Sequence, residues 1–187
     1  EVPGMKVVCP SNSYDALGLI RSAIKDDNPV FVAEPALLYG AKGEVPDEYY
    51  EIEIGKADVT RTGSDITLVS YGYGMRPVNA AADRLAGRGV SAEVIDLRSL
   101  NPLDMDTVIA SVQKTNRVVV VDTARRTGGI MAEVAADLQE QAGEWLDGPV
   151  KRVGSKDVPW PYSRDLEQEV LVDADDVLAA IAAGYGL

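Results

Sequence analysis

The sequence contains no histidine and only one cysteine, Cys9. Without histidine, the chain cannot form a Ser–His nucleophilic site, the usual zinc sites, or the commonest general acid–base group. A single cysteine also excludes a disulfide within the chain, and we interpret Cys9, in a strand-like run, as a small buried apolar residue. Any chemistry therefore depends on carboxylates, Tyr, Lys, Arg, backbone groups or a cofactor.

Basic residues are scarce, and long apolar runs are missing. The 18 Lys and Arg residues stand against 30 Asp and Glu residues, which gives a net charge of -12. This balance disfavours nucleic acid and anionic membranes as partners. No apolar stretch approaches the roughly 20 residues of a membrane span. Because the one cysteine can form no disulfide within the chain and no signal peptide is visible, we expect a cytoplasmic or organelle-matrix protein. The 187 residues allow one domain or two small ones.

The first third of the chain carries strand, helix and strand signals, followed by an irregular segment. "KVVC" and "PVFVAE" are strand-like, and between them Tyr14 to Lys25 has the apolar spacing of a helix. From Pro35 to Gly63 the periodicity weakens, while glycine and charged residues accumulate. We interpret this segment as loop, edge strand and linker, with a short alternating stretch at Tyr50 to Ile54. Within it, we expect Gly40 to Gly63 to be the flexible joint of the chain.

From Asp65 onwards strands and helices alternate more clearly. The strand-like runs are "DITLVSYG", "SAEVIDLRSL", "NRVVVVD" and "PVKRV". The helical runs are Pro77 to Arg88, "PLDMDTVIASVQKT" with Asp104 or Asp106 near its start, "TGGIMAEVAADLQEQA", and "DADDVLAAIAAGYG" capped by a leading aspartate. This alternation predicts an α/β domain with a parallel sheet, helices on both faces and right-handed crossovers.

Several blocks, in order, carry a family resemblance: "PGMKVVCPSNSYDALGL", "VFVAEPALLYGAKGEVP", "VIDLRSLNPLD", "KTNRVVVVDTARRTGG" and "DVPWPYS". The chain resembles the β subunit of thiamine-diphosphate-dependent 2-oxo acid dehydrogenases, the decarboxylating components of pyruvate, branched-chain 2-oxo acid and acetoin dehydrogenase complexes. The resemblance implies oxidative decarboxylation of a 2-oxo acid, with transfer of the acyl group to a lipoyl group. It also implies thiamine diphosphate with Mg²⁺, an α subunit and a second β subunit in an α2β2 assembly, and a lipoyl acyltransferase core.

The resemblance also implies a domain division. Residues 1–58 match the C-terminal part of a pyrimidine-binding α/β domain, and residues 59–187 match a transketolase C-terminal-type domain. The family's pyrimidine-binding glutamate would precede Glu1, and Glu1 itself stands where the family usually has a histidine. The family's diphosphate-binding Gly-Asp-Gly motif belongs to the α subunit and is absent here. We therefore assign no catalytic or cofactor-binding residue, and expect the isolated chain to be inactive and to self-associate through residues 1–58.

One metal site is implied by the same resemblance. In many family members, the turn that matches "SAIKDDNP" holds a potassium ion, and the matching positions here are Ala23, Ile24, Asp26 and Asn28. Free carbonyl groups at a helix C-terminus suit a weakly hydrated cation. The alternative is an ordinary helix end, in which Asp and Asn simply favour the turn.

Two further motifs leave alternatives open. Thr127 to Gly129, at a helix start beside Arg125 and Arg126, could bind an anion or could let the helix pack close to its strand. Asp157 to Ser163, with two prolines around Trp160, suggests a subunit contact or plain surface packing.

The function itself also has alternatives. Pyruvate is the first substrate that we expect, with branched-chain 2-oxo acids and acetoin still open. The chain could instead be a non-catalytic module that docks the α subunit or the acyltransferase core. It could also be one half of a split transketolase or deoxyxylulose-phosphate synthase, although "PSNSYDALGL" fits those families less well.

Overall fold

A computed structural model describes residues 2–187, and the expectation for Glu1 lies outside these residues. The strands are β1 (Lys6–Val8), β2 (Val30–Val32), β3 (Asp58–Arg61), β4 (Ile66–Ser70), β5 (Ala92–Asp96), β6 (Ser99–Asn101), β7 (Val118–Arg125) and β8 (Lys151–Ser155). The helices are α1 (Ser13–Lys25), α2 (Met75–Ala86), α3 (Met105–Thr115), α4 (Ile130–Ala142), α5 (Arg164–Gln168) and α6 (Ala174–Tyr185). None of the helices described here is long and apolar enough to cross a membrane.

The larger sheet has five strands in the order β3-β5-β4-β7-β8. Strands β5, β4, β7 and β8 run parallel, and β3 is an antiparallel edge strand. Every residue of β4 and β5 is buried. Along these strands Leu68 and Val94 face α2 and α6, whereas Val69 and Ile95 face α3 and α4. The predicted α/β domain, with a mostly parallel sheet covered on both faces, is therefore confirmed.

Two helix starts follow the sequence signals closely. Of the two aspartates near the start of α3, Asp104 is the N-cap, and its carboxylate accepts from Thr107 N at 3.3 Å. Asp173 caps α6 in a capping box with Asp176. A side-chain oxygen at these positions satisfies backbone N–H groups that the helix leaves unpaired.

The smaller sheet has three strands in the order β2-β1-β6. Strands β1 and β2 are parallel and connected through α1, while β6 pairs with β1 in antiparallel register. The prediction of a single strand over "SAEVIDLRSL" is therefore wrong. Leu97 and Arg98 interrupt it, and Arg98 has a left-handed backbone with φ of 55°. This turn directs β5 into the larger sheet and β6 into the smaller one.

The segment Tyr50 to Ile54 belongs to no strand and ends in a turn at Ile54, so the edge strand predicted in this region is β3 instead. The segment packs against α1 at Gly18, where a Cβ atom would lie 2.6 Å from Ile52 Cγ1. Ile52 N donates to Gly18 O, and Ser22 Oγ donates to Ile52 O at 2.6 Å. Glycine is therefore required for this close approach. Residues 40–48, by contrast, contain no helix or strand and are exposed.

Candidate functional site at the junction of the two sheets

Polar side chains converge where parallel strands of the two sheets end. Cys9 and Ser11 follow β1, Tyr71 follows β4, Asp96 is the last residue of β5, and Asp122 lies on β7. Groups at the carboxyl ends of parallel strands commonly form the binding sites of α/β proteins. We define the junction as the residues around Arg98 that join the two sheets: Cys9, Ser11, Asp15, Asp58, Asp96 and Arg98.

Arg98 is the centre of the junction. Its Nη2 atom lies 2.7 Å from Asp15 Oδ1 and 2.9 Å from Asp58 Oδ2. Its backbone oxygen accepts from Cys9 N at 2.7 Å. Asp15 is fully buried, and its second carboxylate oxygen accepts from Asn12 Nδ2 at 2.6 Å. One guanidinium group therefore links α1, β3 and the turn between β5 and β6.

Asp96 is the second fully buried carboxyl group of the junction. Ser11 Oγ hydrogen-bonds to its Oδ2 atom, and Arg98 N donates to its Oδ1 atom at 3.0 Å. Burial, and to a smaller extent the nearby carboxylate of Asp15, raise the pKa of Asp96 to about 7, although both hydrogen bonds oppose that rise. Asp96 is therefore poised to exchange a proton near neutrality.

Cys9 is buried beside these groups. Burial, together with the negative charges of Asp96 and Asp122, raises the pKa of its thiol to about 12. The backbone of Gly72, with φ of 50°, packs against the Cys9 thiol. Only glycine fits at this position, because an added Cβ atom would lie 2.7 Å from Cys9 Sγ. A thiol that stays protonated is a poor nucleophile. The interpretation of Cys9 as a buried apolar residue is confirmed.

A cavity of about 600 Å³ opens on the junction. Its wall contains three carboxylates, from Asp15, Glu44 and Asp58, and a single cation, Arg98, which already pairs with two of them. A diphosphate group would be repelled by this excess of negative charge. Among residues 2–187, no cluster of three or more acidic, Cys or His side chains could hold a metal ion. The residues present therefore do not fit the diphosphate–Mg²⁺ end of thiamine diphosphate.

The residues of the predicted potassium site lie together in the turn that ends α1. Asp26 is the C-cap; Lys6 Nζ donates to one of its oxygens, and Asn28 N donates to the other at 2.9 Å. The hydrogen bond from Lys6, followed by that from Asn28, lowers the pKa of Asp26 to about 2. The carbonyl groups of Ala23 and Ile24 accept no hydrogen bond from residues 2–187. Potassium binding stays a prediction.

Of the two glycines that precede α4, Gly129 serves close packing, whereas Gly128 has a left-handed backbone with φ of 75° and no atom within 4 Å of an added Cβ. A Cβ atom on Gly129 would lie 2.8 Å from Arg125 O and 3.1 Å from Asp122 Oδ2. Because the buried carboxylate of Asp122 already lies next to this helix start, an added anion would be repelled. The structure therefore favours close packing over an anion site.

The aromatic segment around Trp160 lies on the surface. Trp160 is 51% exposed, Tyr162 is fully exposed, and Trp160 Nε1 donates to Glu167 Oε1 at 3.2 Å. The subunit contact expected for this segment stays a prediction.

Sequence reasoning assigned no role to Asp15, Asp96 or Arg98. A signal was available, because "VIDLRSL" places two charged residues in a mostly apolar run that is predicted to be a strand between two helices. Buried charges are usually paired, so each needed a partner. The partner of Arg98, Asp15, lies on α1, far away in sequence.

The fold and the junction define an α/β domain whose mostly parallel sheet is joined, through a buried Arg–Asp network, to a smaller β-α-β unit. Residues 55–177 match the model of the family "Transketolase, C-terminal domain", and the chain belongs to this family.

Among curated proteins, the chain is 48% identical to the pyruvate dehydrogenase E1 component subunit beta of Bacillus subtilis, over 95% of the chain and 55% of that protein. It is 43% identical to the Bacillus subtilis acetoin:2,6-dichlorophenolindophenol oxidoreductase subunit beta, over 96% of the chain and 52% of that protein. The chain thus spans about half the length of these relatives. Among solved structures, it is similar to a split gene transketolase in an inactive beta4 tetramer, with a TM-score of 0.78 and 26% identity, over 100% of the chain and 59% of that one. The family resemblance seen in the sequence is confirmed.

Proposed function

We propose that this chain is part of the β subunit of the decarboxylating component of a 2-oxo acid dehydrogenase complex. The observation that carries the proposal is the 48% identity to a pyruvate dehydrogenase β subunit along nearly the whole chain. In this role the chain supplies the transketolase C-terminal domain, residues 59–187, and part of the pyrimidine-binding domain, residues 1–58. The pairing of β1 with β6 holds the two parts together.

The proposed reaction is oxidative decarboxylation of a 2-oxo acid with acyl transfer to a lipoyl group. When bound, thiamine diphosphate with Mg²⁺ supplies the carbanion chemistry that the decarboxylation needs. Because the residues of this chain do not fit the diphosphate end, that end belongs to another part of an α2β2 assembly with an α subunit and a second β subunit. The lipoyl acyltransferase core accepts the acyl group, in the cytoplasm or an organelle matrix.

The substrate that we propose is pyruvate. Relatives named for pyruvate and for acetoin are almost equally similar to the chain, at 48% and 43% identity. Acetoin and branched-chain 2-oxo acids are therefore the competitors to include in any assay.

A non-catalytic docking module is the second candidate function. It is favoured by one observation: the cavity at the junction carries an excess of carboxylates and offers no cradle for the cofactor's diphosphate. On this reading, the folded chain serves only to bind the α subunit or the acyltransferase core.

The experiment that separates the two starts from the gene. We would sequence the complete reading frame that encodes Glu1, together with any adjoining reading frame for an α subunit, and co-express the two. The purified complex should reduce dichlorophenolindophenol when given pyruvate, thiamine diphosphate and Mg²⁺. A complex that assembles but turns over none of pyruvate, acetoin or branched-chain 2-oxo acids would favour the docking module.

A further inference from the structure

The junction holds more buried negative charge than positive charge. Asp15 and Asp96 are both fully buried, Asp58 is partly exposed, and Arg98 is the cation between them. Within residues 2–187, Arg98 pairs with Asp15 and Asp58, while no basic side chain pairs with Asp96. A buried carboxylate without a counter-charge is costly, and binding a proton removes that cost.

The strands on either side of β5 offer Asp96 no positively charged side chain. On β3 the residue opposite Asp96 is Asp58, which is itself acidic, and on β4 it is Ser70, whose hydroxyl already donates to Val121 O at 2.9 Å. From the loop after β1 it meets the Ser11 hydroxyl and the Cys9 thiol, and from α1 it meets the carboxylate of Asp15. These neighbours are neutral or negative, apart from the guanidinium that Asp15 and Asp58 already share.

The contacts around Asp96 are among those that attach one sheet to the other, together with the pairing of β1 and β6. Ser11 to Asp96, Cys9 N to Arg98 O, and Asp15 to Arg98 all connect the loop after β1 and the start of α1 with the end of β5. A change in the charge of Asp96 therefore acts directly on this attachment. Its neutral form keeps the hydrogen bond to Ser11, because either hydroxyl can then donate, and it loses the repulsion from Asp15.

We propose that Asp96 is a proton-binding site that couples the attachment of the smaller sheet to the acidity of the solution. With the proton bound, the junction is closed. When the proton leaves, a carboxylate without a counter-charge remains beside that of Asp15, and the loop after β1 separates more readily from the larger sheet. The device is independent of thiamine diphosphate and of the proposed function.

The direction of the effect follows from linkage. An exposed aspartate has a pKa of about 3.9, whereas burial raises that of Asp96 to about 7. The folded protein therefore keeps a proton that the unfolded chain releases between about pH 4 and pH 7. The contribution of Asp96 to the folding equilibrium constant is therefore greatest below about pH 4. It decreases about tenfold per pH unit between about pH 4 and pH 7, and it is constant above about pH 7.

Carboxyl ¹³C NMR of the complete 187-residue chain tests the proposal directly. One aspartate resonance should titrate near pH 7 in the wild-type chain and be missing from Asp96→Asn. A matched control is Asp104→Asn. Asp104 is also buried, and burial by itself would raise its pKa. The hydrogen bonds from Ala57 and Thr107 outweigh this effect, so the pKa of Asp104 lies below its ordinary value. The resonance near pH 7 should persist in this control.

The attachment itself is measured with Cys9, the only thiol in the chain. We define the protection of Cys9 as the rate at which a pyridyl disulfide reagent labels the denatured chain divided by the rate at which it labels the folded chain at the same pH. Low protection means that the junction opens often. The protection should decrease by up to tenfold per pH unit from pH 5 to pH 7 in the wild-type chain and stay constant in Asp96→Asn.

Should Asp96→Asn fail to fold, Ser11→Ala serves as the second variant. It removes a hydrogen bond that favours the ionised form, so the midpoint of the titration should move to higher pH. The proposal is overturned if Asp96 stays ionised from pH 5 to pH 9, if Ser11→Ala lowers the midpoint, or if Cys9 protection shows the same pH dependence in the wild-type chain and Asp96→Asn.

Discussion

Replacing Arg98 with methionine should weaken the junction far more than removal of an exposed arginine. The guanidinium lies 2.7 Å from the fully buried carboxylate of Asp15. At an effective dielectric constant of about 20, the attraction at this distance is roughly 6 kcal/mol before desolvation is subtracted. Removing one partner of a buried pair costs about 3–5 kcal/mol, because an uncompensated charge is left behind. The contact with the partly exposed Asp58 adds at most about 1 kcal/mol.

Methionine is the suitable replacement because it keeps most of the side-chain length and has the same difficulty as arginine in a left-handed backbone. The free energy of unfolding should be measured by urea denaturation at one fixed pH, with Cys9 labelling as the local readout. Arg98→Met should lower the free energy of unfolding by about 3–5 kcal/mol. If the junction opens without global unfolding, Cys9 should instead be labelled at least about a hundredfold faster.

A double-mutant cycle shows whether the lost charge pair is the cause. Asp15→Asn removes the uncompensated carboxylate, so Arg98→Met combined with Asp15→Asn should recover at least about 2 kcal/mol of the loss. Arg84→Met is the matched control, since Arg84 pairs with Asp175 at 2.8 Å but both side chains are largely exposed. Its cost should stay below about 1 kcal/mol. Additive effects of the two junction mutations would refute the reasoning.

Three further predictions concern the N-terminal part of the chain. Limited proteolysis should cut first within residues 40–48, which are exposed and lack regular structure, and first cuts within Asp65 to Val153 would contradict the proposed domain division. If potassium binds in the turn after α1, the midpoint of thermal unfolding should be higher in KCl than in NaCl at equal ionic strength, and equal midpoints would argue against that site. Gly18→Ala should displace Ile52 from α1 at a cost of about 1–3 kcal/mol and make the segment after residue 48 an additional cleavage site, and an unchanged digest would show that the close approach is not needed.

Local patterns predicted most of the larger sheet. The continuous apolar runs of β4 and β7 and the helical spacing of α2 determine their own conformation, whichever partners they find. Capping residues such as Asp104 and Asp173 act on backbone groups two or three positions away, so the sequence reveals them directly.

The junction could not be predicted in the same way, because its contacts join residues that are far apart in sequence. Nothing in "SAEVIDLRSL" shows that its second half pairs with β1, which begins about ninety residues earlier. The left-handed turn at Arg98 is stabilised by Asp15 and Asp58, and an arginine by itself gives no signal for that conformation. Likewise, the sequence around Ile52 alternates like a strand, but the hydrogen-bond partners of Ile52 lie on α1 rather than on a strand.

Titration calorimetry of the isolated chain with thiamine diphosphate and Mg²⁺, followed by a decarboxylation assay with pyruvate, tests the central claim most directly. The chain has no histidine to move protons, and the cavity at the junction is lined by carboxylates that would repel a diphosphate. We therefore predict no tight binding of the cofactor by the isolated chain, and no turnover unless the other parts of the proposed assembly are present. A dissociation constant of about 1 μM, or steady turnover of pyruvate by the isolated chain, would contradict it.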